Sequence, residues 1–167
     1  PDENLRMIYE SIARLTRAGV EVFFDAEQFF DGWLADAEYS LETIKAAKEG
    51  GASRIILCDT NGATLPDDIA RGTRQAIAAV GDIVGIHTHD DTPLAVADAL
   101  AAVSAGAIQV QGTINGYGER CGNANLCALV PNLIMKLGCE PGEFRLSQLT
   151  GAANFVAEVA NMSLPRT

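Results

Sequence analysis

The chain contains two histidines, and they stand two residues apart at His87 and His89. In an extended segment, side chains two positions apart point to the same side, so both imidazoles can reach one cation. Two imidazoles with added oxygen ligands suit a borderline divalent ion such as Zn²⁺, Mn²⁺ or Co²⁺. Asp90 or Asp91 can supply an oxygen or orient a ring. The alternative is a pair of histidines that only hydrogen-bond at a strand end; the spacing favours a metal.

Two further groups of polar residues could take part in chemistry. Glu27 follows an apolar segment and precedes two phenylalanines. Partial burial there would suit it to proton transfer, whereas a surface acid or a helix N-cap is the alternative. Asp59 and Thr60 offer a carboxylate and a hydroxyl beside Gly62, which permits a close approach of the backbone. An ordinary turn of Asp and Asn residues explains the same residues equally well.

A glycine-rich segment, residues 116–122, carries Glu119 and Arg120 between its three glycines. Such a segment can act as a mobile lid that brings charge to a ligand. A plain flexible loop is the competing interpretation.

These residues follow segments with the apolar pattern of buried strands. Segments rich in β-branched and aromatic residues predict four strands, at 20–24, 54–58, 83–87 and 108–113. Apolar residues at steps of three and four predict helices at 5–15, 41–47, 66–80, 94–105, 126–137 and 149–162. Pro66 stands at a favoured first helical position.

The order of these elements predicts a parallel sheet. Glycines at Gly19, at Gly50-Gly51 and at Gly106 each end a helix directly before a strand, which is typical of a βαβ array. Apolar strands in such an array form a parallel sheet covered by helices. Because ligands bind beyond the carboxyl ends of parallel strands, we expect the polar segments to form one site. The chain should hold four strands and five or six helices in one α/β unit.

Composition excludes several functions. The chain has 167 residues, of which 48% are hydrophobic and 20% charged, and a formal net charge of −10. This negative field argues against nucleic acid and against an anionic membrane surface as partners. No apolar run approaches the ~20 residues of a membrane span, and the first residues do not resemble a signal peptide. The four cysteines form no C-x-x-C pair, so we expect reduced thiols in a cytoplasmic protein.

Longer motifs give a more specific indication. The chain resembles the metal-dependent acyl-CoA-condensing enzymes related to HMG-CoA lyase, which include the isopropylmalate, homocitrate and citramalate synthases. Residues 25–32, D-A-E-Q-F-F-D-G, are most similar to the citramalate synthase branch. The motifs that carry the resemblance are C-D-T-N-G at 58–62, H-T-H-D-D at 87–91 and Q-G-T-I-N-G-Y-G-E-R-C-G-N-A-N at 111–125.

The resemblance implies the C-terminal half of a (β/α)₈ TIM barrel. Such a barrel needs roughly 250 residues and eight strands, whereas this chain has 167 residues and four predicted strands. The absence of an initial Met and the helix at the start fit a chain that enters the barrel midway. We expect residues 1–140 to form this half-barrel and residues 141–167 to form a helical segment after it, with a last helix that stops at Pro165.

The resemblance also implies roles for particular residues. His87, His89 and Asn123 match the family's ligands for a divalent metal, which can be Zn, Mn, Mg or Co. Thr60 matches the residue that holds the carboxylate of the 2-oxo acid, and Glu27 an active-site glutamate that contacts it.

Two further residues complete the implied site, and several positions depart from the family pattern. We add Asp59 as a substrate-binding residue and Arg120 as a catalytic residue on an electrostatic lid. A further ligand, the Asp of a D-T-T-L-R-D-G motif, is absent from this sequence. Asp90 stands where Asn is usual, and Gln28 where His is usual.

The implied reaction is a Claisen condensation of acetyl-CoA with a 2-oxo acid in branched-chain amino-acid biosynthesis. Pyruvate, which gives citramalate, is the expected substrate, with isopropylmalate and homocitrate synthesis as rivals. A lyase or aldolase on the same barrel is a second hypothesis, since Cys121 lies in a glycine-rich loop. A third is a fragment that binds metal weakly and is inactive alone. The expected partners are acetyl-CoA and the 2-oxo acid, in a homodimer.

Overall fold

The computed structural model describes residues 2–140, 142 and 144–164. Within these residues, strands and helices alternate, except that two α-helices follow the first strand and two follow the last. The strands are β1 (Phe23–Ala26), β2 (Arg54–Asp59), β3 (Val84–Thr88) and β4 (Gln109–Gln111). The helices are α1 (Asp2–Arg17), α2 (Phe29–Ala35), α3 (Ala37–Gly50), α4 (Pro66–Val80), α5 (Ala95–Ser104), α6 (Leu126–Met135) and α7 (Leu149–Ala160), with single 3₁₀ turns at Ile114–Gly116 and Leu146–Gln148.

The four strands form one parallel sheet in the order β1-β2-β3-β4, which confirms the predicted architecture. Their register places Cys58 beside His87 and His87 beside Gln111. One step further along the strands, Asp59 lies beside Thr88. Since successive side chains of a strand point to opposite faces, these two rows lie on different faces of the sheet.

The two faces differ in what covers them. The hydroxyl of Thr88 donates to the carbonyl of Ala95 in α5, at 2.9 Å, so the Asp59 row faces the helices. We call this the helix-covered face, and the face of Cys58 and His87 the inner face. The main core lies under the helix-covered face, where strand side chains meet α3 to α6; its fully buried members include Ile44, Ile55, Leu57, Ile69, Val84, Ile86 and Leu129. Each such side chain contributes about 1.5–3 kcal/mol by leaving water.

Glycines end the helices where the sequence predicts. Gly51 after α3 and Gly106 after α5 have φ of 100° and 112°, a left-handed conformation that favours glycine. These residues turn the chain from the helix directly into the next strand, as expected of a βαβ array. The helix α4 runs from Pro66 to Val80, with the predicted bounds.

The structure corrects the first strand and the helix count. The strand predicted at 20–24 begins at Phe23 instead, because pairing with Arg54 of β2 sets its register. Val20, ahead of the strand, is half exposed. The prediction also omitted α2, whose seven residues are too few to display a helical period. Seven α-helices therefore occur in the described residues, against the five or six expected, and β4 is shorter than predicted.

Among the described residues, every helix is too short or too polar to cross a bilayer. The last helix, α7, ends at Ala160. The predicted stop at Pro165 lies outside the described residues.

Candidate active site

The carboxyl ends of the strands bring most of the predicted polar residues together. His87 ends the inner face of β3, and His89 follows one residue beyond the strand. Their Nε2 atoms approach to 3.2 Å, with ring centres 5.0 Å apart. His87 is half-buried and His89 is buried. The predicted convergence of the two imidazoles is therefore present in the fold.

The electrostatic environment keeps the first imidazole in the form that binds metals. Burial, and then the neighbouring His89, lower the pKa of His87 below its usual value, which favours a neutral ring at pH 7. A neutral imidazole has a free lone pair for a cation. The Nδ1 atoms of both histidines are buried and make no hydrogen bond to any described residue.

Asn123 lies beside the histidines because the glycine-rich segment runs along the end of β3. His89 and Asn123 form an isolated antiparallel bridge, and the amide of Asp90 donates to the carbonyl of Gly122 at 2.9 Å. Gly122 has a φ of 107°, and any side chain there would collide with the carbonyl of Gly116. Glycine is therefore required for the close turn that brings Asn123 to His89.

These donors fit a divalent cation in type. A metal ion about 2.0–2.1 Å from each of two imidazole nitrogens holds those nitrogens roughly 3 Å apart, close to the observed separation. Within residues 2–140, 142 and 144–164, no group of three or more His, Cys, Asp and Glu side chains is placed to hold a metal. The side chain of Asn123, whose backbone pairs with that of His89, carries an amide oxygen, which is a donor of another type.

Glu27 and Thr60 are brought together at the ends of β1 and β2. The hydroxyl of Thr60 donates to Glu27 Oε2 at 2.8 Å and accepts from the backbone amide of Gln28 at 2.7 Å. Glu27 is exposed, so of the two alternatives that the sequence left open the structure shows the surface acid and not the partly buried one. The physical reason is that β1 is an edge strand, with no described strand beyond it.

Asp59 is separated from this cluster. Its side chain is 1% exposed and lies on the helix-covered face, where Oδ1 accepts from the hydroxyl of Thr64 at 2.7 Å. Burial raises the pKa of Asp59 above its usual value. The predicted contact of Asp59 with a substrate on the inner face has no support in this placement, because the alternation of the strand turns Asp59 away from His87.

Two buried groups near the site are not among the predicted site residues. Cys58 lies beside His87 on the inner face, as Gln111 does on the other side. Burial, then the charges of Glu27 and Asp25, raise the pKa of the Cys58 thiol far above the usual range. The thiol stays protonated, which makes it a poor nucleophile.

The second group is Asp98 in α5, which is 1% exposed. Neither of its carboxylate oxygens has a hydrogen-bond partner among the described residues. Burial, followed by the charges of Asp59 and Asp90, raises the pKa of Asp98 to about 7. The sequence could have indicated this burial, because Asp98 interrupts the alanine-rich face formed by Ala95, Ala99 and Ala102.

Arg120 binds other residues of the chain. Its guanidinium makes two hydrogen bonds to Asp91, and a third to the backbone carbonyl of Thr60. The Arg120 guanidinium holds the pKa of the Asp91 carboxyl below its usual value. Asp90 and Asp91 were predicted to supply an oxygen or to orient an imidazole. Instead Asp91 pairs with Arg120, and Asp90 Oδ1 accepts from the amide of Ala95 at 3.0 Å.

A parallel sheet, one layer of helices and polar residues at the carboxyl ends define this protein as part of a (β/α)₈ barrel, which confirms the predicted fold class. The chain belongs to the HMGL-like family, whose model matches residues 1–156. Over 97% of its length the chain also superimposes on HMG-CoA lyase from Bacillus subtilis, with a TM-score of 0.79 and 21% identity. It covers 57% of that chain, so it corresponds to a partial barrel.

Curated relatives are more similar in sequence. The chain is 55% identical to (R)-citramalate synthase from Aquifex aeolicus (strain VF5), across 99% of this chain and 32% of that protein. It is 37% identical to 2-isopropylmalate synthase from Sulfolobus acidocaldarius, across 98% of this chain and 42% of that protein. The chain thus spans less than half the length of each of these relatives.

Proposed function

We propose that the enzyme to which this chain belongs condenses acetyl-CoA with pyruvate to form citramalate. The observation that carries the proposal is the 55% identity to a citramalate synthase, against 37% to an isopropylmalate synthase, over nearly the whole chain. The placement of His87, His89, Thr60 and Glu27 at one end of the sheet supports a reaction at that end.

In this proposal His87, His89 and Asn123 hold a divalent metal ion, of Zn, Mn, Mg or Co. When bound, such an ion supplies Lewis-acid polarisation of the 2-oxo acid's carbonyl group. The two imidazole nitrogens, 3.2 Å apart, and the bridge between His89 and Asn123 support this assignment. The family resemblance implies one further ligand, the Asp of a D-T-T-L-R-D-G motif, which this sequence does not contain.

Thr60 and Glu27 handle the 2-oxo acid. In the structure the hydroxyl of Thr60 donates to Glu27. We propose that the substrate's carboxylate takes over this hydroxyl as a hydrogen-bond donor. Glu27 is then released to contact the substrate or to relay a proton. The base that removes the methyl proton of acetyl-CoA is not assigned to Glu27.

We propose that residues 1–140 form the barrel part and residues 141–167 a helical segment after it, in a homodimer. The position of α7 supports the boundary. In the described residues no strand lies between α6 and α7, and α7 packs against α6 and the turn Ile114–Gly116.

The test is release of coenzyme A by the full-length enzyme. Acetyl-CoA is supplied with pyruvate, 2-oxoisovalerate or 2-oxoglutarate, and the product is identified by mass spectrometry. We expect the highest kcat/KM with pyruvate and a product with the mass of citramalate. A preference for 2-oxoisovalerate would instead indicate isopropylmalate synthesis. That activity is the second candidate because the chain is 37% identical to a 2-isopropylmalate synthase.

A lyase is the alternative of a different class, and the exposed Cys121 in the glycine-rich loop favours it. Cleavage of 3-hydroxy-3-methylglutaryl-CoA without condensation of any 2-oxo acid would overturn the proposal. The same assays on the 167-residue chain alone test the fragment hypothesis. We expect no turnover there, since the chain lacks the family's D-T-T-L-R-D-G ligand.

A further inference from the structure

One guanidinium joins three loops at the carboxyl ends of the strands. Arg120 Nε donates to Asp91 Oδ1 at 2.9 Å, and Nη2 donates to Asp91 Oδ2 at 3.0 Å. This forked pairing of two N–H groups with two carboxylate oxygens is the strong, directional form of an ion pair. It ties the glycine-rich segment after β4 to the loop after β3.

The same guanidinium reaches the loop after β2. Arg120 Nη2 also donates to the backbone carbonyl of Thr60 at 2.6 Å. Thr60 in turn donates its hydroxyl to Glu27. A continuous chain of contacts therefore runs from Asp91 through Arg120 and Thr60 to Glu27, and it joins the loops that follow β1, β2, β3 and β4.

The loops are also in close steric contact. The hydroxyl of Thr92 donates to the carbonyl of Gly62 at 2.6 Å. A Cβ atom at Gly62 would lie 2.7 Å from the carbonyl oxygen of His89 and 2.8 Å from the amide of Asp91. Asp91 is therefore placed next to both the Thr60 loop and the histidine pair. A displacement of Asp91 would shift the backbone of both.

The backbone of Arg120 indicates that these contacts hold it in place. Its φ is 54°, a conformation that non-glycine residues adopt rarely and keep only when their surroundings impose it. Two of the three guanidinium nitrogens, Nε and Nη2, are engaged by these hydrogen bonds, and the third, Nη1, lies 3.4 Å from Glu119 Oε1, whose side chain is largely exposed.

We propose that Asp91 is a positioning residue, which holds Arg120 against the Thr60 carbonyl and so fixes the glycine-rich loop and the Thr60 hydroxyl. In this proposal Arg120 acts through Thr60 as a positioning residue, in place of the catalytic role expected from the sequence. The kinetic part of this inference rests on the proposed condensation, whereas the clamp itself does not. We use the term clamp for Asp91, Arg120 and the Thr60 carbonyl.

The first test measures the loop without any activity. Hydrogen exchange, followed by mass spectrometry, is measured on peptides covering 116–123, whose amides include the bonds Gly122 N to Glu119 O and Asn123 N to Gly116 O. We expect Asp91→Asn to accelerate exchange there by about tenfold. Glu119→Gln is the matched control, because Glu119 meets the same guanidinium but is largely exposed, and it should leave exchange unchanged.

Arg120→Lys is the second variant, and it keeps the charge but loses the fork. We expect the same acceleration as with Asp91→Asn, while the melting temperature stays within a few degrees of the parent because the pair is partly exposed. If both variants exchange like Glu119→Gln, the clamp does not hold the loop and the proposal is wrong. Should Asp91→Asn not fold, Arg120→Lys alone decides.

The second test is kinetic and uses the full-length enzyme. For Asp91→Asn and Arg120→Lys we expect KM for the 2-oxo acid to rise about tenfold, with kcat reduced less than threefold and KM for acetyl-CoA unchanged. A proportional loss of kcat with unaltered KM would overturn the positioning role. If the parent enzyme condenses no 2-oxo acid, the proposed function fails, and accelerated exchange in the first test still supports the clamp.

Discussion

The ends of β2 and β3 present opposite chemistry on their two faces. On the inner face His87 is half-buried, and its Nε2 converges with that of His89. On the helix-covered face Asp59 and Asp98 are each 1% exposed. The inner face therefore displays donors that a ligand can reach, whereas the helix-covered face seals its carboxyl groups away from any ligand.

The difference lies in a single step along the chain. Cys58 and His87 are register partners on one face, and Asp59 and Thr88 are the next partners on the other. On the inner face, two converging imidazoles can bind a cation. On the helix-covered face, the buried Asp59 bonds to Thr64 within the chain and the buried Asp98 has no partner among the described residues, so neither carboxyl group is available to a ligand. Polar residues at strand ends thus serve a site only when the pleat turns them to the open face.

The largest expected effect comes from the helix-covered face. The pKa of Asp98 is raised to about 7 in the fold, against about 3.9 in an unfolded chain. Folding therefore favours the protonated acid, and stability is lost as the pH rises from about 4 through 7. The cost is roughly 4 kcal/mol above pH 8. Asp98→Asn should remove it, which increases the free energy of unfolding at pH 8 by about that amount.

Chemical denaturation at pH 5 and pH 8 measures this effect. The parent should lose stability between the two values, and Asp98→Asn should lose much less. The exposed Asp82 offers a control, since Asp82→Asn should follow the pH dependence of the parent. An identical pH dependence in Asp98→Asn would contradict the assignment of the titration to Asp98.

The next effect comes from the inner face. His87→Ala or His89→Ala should weaken binding of Co²⁺ or Zn²⁺ to the full-length protein by about 100-fold or more, since each removes one direct ligand from the proposed set. Isothermal titration calorimetry measures the affinity. Asp98→Asn, on the helix-covered face, should change the metal affinity by no more than about twofold. A larger loss of affinity in Asp98→Asn would show that the two faces do not differ in metal binding.

The smallest effect concerns the hydroxyl of Thr60, in the loop that follows β2. Thr60→Val keeps the shape of the side chain and removes the donor to Glu27. We expect KM for the 2-oxo acid to rise about tenfold, the equivalent of one hydrogen bond to a charged group. Thr60→Ser, which retains the hydroxyl, should stay near the parent. Equal KM values for both variants would exclude Thr60 from substrate binding.

The fold was predictable to the extent that its signals are local. Pro66 at the start of α4 and Gly81 after its end mark both bounds of that helix. The start of β1 was not predictable, because its first paired residue is decided by β2, about thirty residues away. The helix α2 is too short for periodicity, and only the burial of Phe29, Phe30 and Trp33 against the rest of the core reveals it.

The candidate site divides in the same way. The sequence by itself determined that His87 and His89 could act together, since a separation of two residues in extended chain directs both side chains one way. It also placed Glu27 and Thr60 at the ends of successive strands, and parallel pairing brings those ends side by side.

Only the tertiary structure decided which polar residues face the site and which are held away from it. Asp59 is turned under the helices, and Arg120 is engaged by Asp91 and by the carbonyl of Thr60, partners 29 and 60 positions away in the chain. The reason is physical: spacing sets the direction of neighbouring side chains. Burial and pairing depend instead on segments that meet only when the sheet and its helices have packed together.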